Sequence, residues 1–204
     1  MVSSTRKQSA ARPRPGGRSA RVRAAALAAG LQELAQVGYH DLTLGGIARR
    51  AGVHKTTLYR RWGTREALIL DAMRERARQR VPVPDTGSLR QDLLELARAA
   101  IANATTPEVE GAVRALPSLA PHHEAIAAAG TAFWAERLAL DGEIVERARA
   151  RGEIATDVEP GTVIEAVLGP AYMRLLVTGR PLDDEFIEAT VNLIVDGLRP
   201  RPDG

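Results

Sequence analysis

The chain contains no cysteine, which excludes a disulfide framework and any thiolate-ligated metal site. Aromatic residues make up only 3% of its 204 residues, so a core has to be assembled from Leu, Ile, Val and Ala. No apolar run approaches the ~18 residues that span a bilayer. The longest near the start, "AAALAAGL" at 24–31, is followed at once by Gln32 and Glu33 and reads as one side of a helix, not a signal peptide. A cytoplasmic protein with no membrane partner is expected. β-Branched runs are short while Ala and Leu abound, which favours an all-α fold. Motifs of catalysis are missing as well. There is no nucleophile elbow, no glycine-rich phosphate loop and no HExxH, so an enzyme is not expected. Asp183, Asp184 and Glu185 mark a helix start, where acids are favourable anyway. His122, His123 and Glu124 are neighbours whose directions diverge by about 100° per residue on a helix. They do not converge on one ion, and no metal or cofactor is expected.

What is present is a charge asymmetry. Residues 1–65 hold 13 Lys and Arg against 2 acids, a balance of +11, whereas residues 66–204 hold 15 against 23, a balance of −8. A basic first third on an acidic remainder suits a chain whose one end meets a polyanion. Ordinary solvated surface charge is the bland alternative.

Punctuation divides the chain. Residues 1–17 are polar, basic and rich in Pro, Ser and Gly, and are expected to be a disordered tail. Within "RPRPGGR" (12–18), arginines could enter a minor groove as basic arms do, or simply be solvated. A first helix is expected from Ser19, with Ala24, Leu27, Leu31 and Leu34 at helical spacing and Gly38 as its stop. "YHDLTLGGIARRAGV" follows, with Thr43 as N-cap and Leu44, Ile47, Ala48 and Ala51 forming an apolar stripe. Gly52 allows a sharp turn, and "HKTTLYRRW" is the next short helix. Two short helices joined by a glycine-containing turn are the signature of a helix-turn-helix. A DNA-binding unit is therefore expected over 18–65, linked by a helix over 64–80. "VPVPDTG" (81–87) then separates it from a helical unit over 81–204. About nine helices are expected in all, with no strand.

On a helical wheel centred on Leu58 as the inward residue, Thr56 and Arg60 point almost directly outward, and His54 and Trp62 lie about 40° to either side of Leu58. Thr57 and Tyr59 sit on the flanks, with Lys55 and Arg61 near the rim. Arg can bond two guanine acceptors, Thr can bond a base or pack on a thymine methyl, and Tyr and Lys can reach phosphates. The helix start at Gly63, Thr64 and Arg65 adds backbone N–H groups suited to a phosphate.

"LTLGGIARRAGVHKTTLYRRWGTREALI" resembles the DNA-binding half of a TetR-family transcriptional repressor. The matching positions are Ile47-Ala48, Ala51-Gly52-Val53, Thr57-Leu58-Tyr59, Trp62, Arg65-Glu66 and Leu68. His54 stands where serine is more frequent, and Arg61-Trp62 where His-Phe is. The resemblance implies that Thr43, Lys55, Thr56, Thr57, Tyr59, Arg60, Arg61, Thr64 and Arg65 face double-stranded DNA. Of these, Lys55, Thr56 and Arg60 are expected on base edges, and Thr43, Tyr59, Thr64 and Arg65 on phosphates. It further implies a homodimer on a palindromic operator, released when a small-molecule effector tilts the helix that starts near Thr64. The dimer face is expected on the last two helices, at Val163, Val167 and Leu168 and at Ile187, Val191, Ile194 and Leu198, although a helix needs one such stripe merely to pack. Asn103, Phe133, Trp134, Tyr172 and Met173 are the candidates to line an effector pocket. A ligand-independent architectural DNA binder is the alternative, and it would lack a pocket.

Overall fold

In a computed structural model, residues 17–154 and 157–199 are described, and among them lie nine α-helices and no strand. The first helix, α1 (Gly17–Asp41), turns Ala26, Leu27, Leu31 and Leu34 inward. Its regular course breaks at Gly38, where φ is 73°, a left-handed conformation that glycine adopts without steric cost. The expected tail lies almost wholly outside the described residues, which begin with Gly17 in α1.

Three helices complete the N-terminal unit: α2 (Leu44–Ala51), α3 (Lys55–Trp62) and α4 (Arg65–Arg80). The Thr43 side chain accepts from the Gly46 N–H at 3.0 Å and so caps α2. Gly52, at φ 65°, closes the other end in the left-handed conformation, and the Val53 N–H reaches the Ala48 carbonyl at 3.0 Å. That turn sets α3 across α2, and Ile47, Leu58, Leu68 and Ile69 meet in one core with α1.

The remaining helices are α5 (Leu89–Ala104), α6 (Pro107–Leu119), α7 (Glu124–Ala150), α8 (Pro160–Met173) and α9 (Asp184–Leu198). A short 3-10 turn precedes α7, which is one continuous helix, and a π-helical turn over Arg174–Thr178 extends α8. Leu93, Leu96, Ile144, Ile164 and Val191 form a second core from α5, α7, α8 and α9. The division expected at residue 81 does not divide the cores. Val109, Ala112 and Val113 of α6 pack into the first one, against α1, and Tyr172 touches both. Between α4 and α5 no regular element forms, and side chains anchor the segment. Asp92, fully buried, accepts from the Thr86 N–H at 2.6 Å and hydroxyl at 2.7 Å, and Glu153 accepts from the Leu89 N–H at 2.8 Å. No described helix is long and apolar enough to cross a membrane.

Candidate nucleic-acid interface and ligand cavity

The outward face of α3 follows from the one residue it buries. Leu58 is fully buried, and Lys55, Thr56, Tyr59, Arg60 and Arg61 are exposed while Thr57 is half-buried. Lys55 lies 5.3 Å from the centre of the Tyr59 ring, which stacks cation and phenol on one side of the helix. Thr43 and Thr64 are exposed at the starts of α2 and α4, and Thr64 caps α4 by accepting from the Ala67 N–H at 3.2 Å. His54 departs from the inward position expected of it. It is the N-cap residue of α3, with extended backbone at φ −69° and ψ 132°, so the helical wheel does not govern its side chain, which is exposed.

Arg65, expected on a phosphate, makes several contacts within the protein. Its Nε donates to Glu66 at 2.8 Å, its Nη1 to the carbonyls of His40 and Leu42, and its guanidinium lies 4.5 Å from the Tyr39 ring centre. These contacts pin the start of α4 to the end of α1. Tyr39 completes the cluster by donating to Glu66 at 2.6 Å. Burial opposes the charge on Glu66, but the Tyr39 and Arg65 hydrogen bonds outweigh it and hold its carboxyl below the usual range.

A second cluster fixes α3 from behind. Trp62 Nε1 donates to Asp71 of α4 at 3.0 Å, and Arg23 of α1 donates to Asp71 at 2.6 Å and to Glu75 at 2.9 Å. Burial again works against Asp71, and the Arg23 and Trp62 hydrogen bonds again prevail, so its carboxyl is lowered. Beside this scaffold a basic groove runs between the start of α1 and α3, lined by Arg18, Ser19, His54, Thr57, Arg60 and Arg61. Ser19 and His54 were not among the residues expected to face DNA. No local pattern announces them, because the groove exists only where α1 meets a helix more than thirty residues downstream.

The second feature is a cavity of about 700 Å³ among α4 to α8. Leu70, Met73 and Ala77 of α4 form one wall, and most of the lining is apolar. Asn103, Phe133, Trp134 and Tyr172 line it as expected, but Met173 does not: it follows Tyr172 by one helical step, faces away and is 53% exposed. Arg76 of α4 donates to Asn103 Oδ1 at 3.3 Å and to the Thr106 hydroxyl at 3.2 Å, tying α4 to the cavity rim. Arg137 and Asp141 form a buried pair at 2.6 Å in the lining, where burial pushes the Asp141 carboxyl up and Arg137 opposes it. Burial also pushes the Tyr172 hydroxyl up to about 12.

The residues expected at a dimer face turn out to be core. Val163, Val167, Leu168, Ile187, Val191 and Leu198 are buried within the single chain, and Ile194 packs half-buried against the same cluster. Each helix spends its strongest apolar stripe on its own fold. The opposite sides are exposed and still apolar. On α8 and its extension they present Ala166, Gly169, Met173 and Val177, and on α9 Ala189, Leu193 and Gly197, with Val177 69% and Leu193 77% exposed.

Two family models match the chain. Residues 26–72 match the one described as bacterial regulatory proteins, tetR family, and residues 83–194 the one described as tetracyclin repressor-like, C-terminal domain. The chain is similar to the HTH-type transcriptional regulator AqdR of Rhodococcus erythropolis, with 31% identity over 88% of this chain and 86% of that protein. It is also similar to the DNA-binding transcriptional repressor TetR of Mycobacteroides abscessus, with 34% identity over 83% of this chain and 89% of that protein. Among solved structures, the TetR family transcription regulator SCO0332 superposes with a TM-score of 0.76 at 36% identity, covering 88% of this chain and 100% of that one.

Proposed function

The chain belongs to the TetR family of transcriptional regulators, which are DNA-binding proteins and not enzymes, and from that premise we propose that it represses transcription as a homodimer and leaves its operator when a small molecule fills the cavity. Lys55, Thr56 and Arg60 read base edges in the major groove. Thr43, Tyr59 and Thr64 hold phosphates, joined by Arg18, Ser19 and His54 along the basic groove, with Thr57 and Arg61 flanking the reading face. Arg65 is left out of the contact set and serves as the pin of α4. The dimer forms through the outer faces of α8 and α9, which present two recognition helices to successive major grooves of an inverted repeat, about 34–36 Å or a multiple apart.

The observation that carries this reading is the double use of α4. One side of it, Leu70, Met73 and Ala77, faces the cavity, and another holds Trp62 of the recognition helix through Asp71. A ligand that displaces this wall moves α3 with it. Allosteric coupling of this kind is typically about 1–3 kcal/mol, and nearly complete switching requires about 5.5 kcal/mol of preference between the two states. A ligand-sized, mostly apolar cavity beside that helix favours the ligand-responsive reading over the architectural one.

Selection from a pool of random duplexes, repeated at two salt concentrations, tests the first half. An enriched inverted repeat whose affinity falls steeply with salt is expected. Retention of no DNA, or of DNA without sequence preference, would reject it. The second half is tested by fluorescence anisotropy of the selected operator during titration with molecules that bind the cavity. Release is expected, and cavity binding that leaves the DNA in place rejects this half.

A further inference from the structure

If the cavity is the effector site, a reading on which this inference rests, its walls also define the kind of molecule it takes. The chain has only seven aromatic residues, and three of them line this one cavity. Phe133 meets Trp134 edge to face at 5.2 Å between ring centres, and Trp134 meets Tyr172 the same way at 5.3 Å. The fully buried apolar residues of the two cores are Leu, Ile, Val and Ala. A continuous aromatic wall does something those residues do not: it offers ring edges and faces to a flat partner.

The charges in the lining are more decisive. Among the described lining residues there is one cation, Arg137, and two carboxylates, Asp141 and Glu165. Arg137 is committed through its two Nη groups. Its Nη2 donates to Asp141 at 2.6 Å, and its two Nη groups reach the Val81 carbonyl at 3.3 and 3.4 Å. Asp141, one helical turn away on α7, is 1% exposed, so the pair is shielded from water. An entering carboxylate meets a guanidinium already paired with Asp141, finds Glu165 exposed at the rim, and has to lose its hydration without gaining a free cation. An uncharged aromatic molecule escapes that cost. A monocation is drawn by the ring faces and by Glu165 at the exposed rim.

We propose that Asp141 acts as a charge filter: by neutralising Arg137 it makes the cavity a site for aromatic molecules that are uncharged or singly positive, and bars carboxylates of the same shape. The polar end of the cavity thereby sorts ligands by charge, and the aromatic wall sorts them by flatness.

Calorimetric titration of the full chain with three biphenyl probes tests this directly: biphenyl-4-ylmethanol, biphenyl-4-ylmethylammonium and biphenyl-4-carboxylate. The alcohol and the ammonium are expected to bind at least tenfold more tightly than the carboxylate. Asp141→Asn frees Arg137, so carboxylate affinity should rise at least tenfold while ammonium affinity falls. If the melting temperature shows that this variant does not fold, the order on the unaltered protein still decides. Trp134→Ala, at a position 37% exposed and so tolerant of truncation, should weaken all three probes alike. A carboxylate that binds tightest to the unaltered protein, no heat from any probe, or a Trp134→Ala variant with undiminished affinity would each overturn the proposal. Operator release is read separately by anisotropy. Probes that bind in the expected order without releasing DNA would refute the effector reading and leave the charge filter standing.

Discussion

Arg60 and Tyr59 adjoin on α3, and their removal should have different signatures. Arg60 points straight out, where a guanidinium can bond guanine O6 and N7 together. Arg60→Ala should therefore narrow the preference for operator over random duplex by about 1–3 kcal/mol. Tyr59, 48% exposed and stacked with Lys55, has a hydroxyl suited to a phosphate, so Tyr59→Phe should weaken operator and random duplex alike. Anisotropy against both duplexes checks the pair; unchanged selectivity in the first variant, or a loss confined to the operator in the second, would contradict the roles. Asp71 acts from behind. Its carboxyl is held below the ordinary 3.8 by Arg23 and Trp62 despite burial. A lowered carboxylate adds stability that is complete above the ordinary value and is lost as pH falls through the lower folded value. Asp71→Asn should lower the melting temperature at neutral pH and shrink the loss seen on acidification from about pH 5 to about pH 2. An acid limb identical to that of the unaltered protein would remove Asp71 from the account.

The short helix α2 shows how an element depends on a close approach. A Cβ at Gly46 would lie 2.5 Å from Glu33 Oε1 and 3.3 Å from the Thr43 hydroxyl. Glu33, nearly buried, holds Arg50 at 2.7 Å, and Thr43 caps the helix through the Gly46 N–H. Gly46→Ala thus presses on an ion pair and a cap together. Destabilisation of about 1–3 kcal/mol is expected, read as a lower midpoint in chemical denaturation, with α2 the first segment to lose hydrogen-exchange protection. An unchanged midpoint would mean that Glu33 moves aside freely. The caps at Thr43 and Thr64 and the left-handed Gly52 are legible in sequence because each acts within four residues. The role of Arg65 is not, because the carbonyls and ring that absorb its charge belong to α1 and the turn after it, 23 to 26 residues away.

At the scale of the molecule, the proposed homodimer presents two recognition helices. The exposed apolar sides of α8 and α9 are the surface proposed for that pairing, and Leu193 stands at its centre with 77% of its surface open. Leu193→Glu changes no contact of the chain's core, so the fold should persist while the dimer does not. Sizing chromatography should give the monomer, and affinity for an inverted repeat should fall at least tenfold. A dimer that survives would move the interface elsewhere. Leu193 is adjacent to Asn192 and Ile194 in a stretch with several apolar residues, and periodicity by itself points to the stripe with the strongest repeat. That stripe, Ile187, Val191 and Leu198, went to the monomer's own core.

The helix-turn-helix and its outward chemistry were decided by the amino-acid order alone. Capping hydroxyls, a glycine free to turn left-handed and one inward leucine fix which side of a nine-residue stretch faces out, and all of these act over a few residues. Tertiary structure decided the rest: the apolar cavity, its paired Arg137 and Asp141, the exclusion of Met173 from its wall, the contacts of Arg65 with α1 and the side of α8 and α9 left open. The physical reason is that a helix carries its faces in its sequence, but which face is buried depends on neighbours that arrive from distant parts of the chain, and only the packed molecule specifies them.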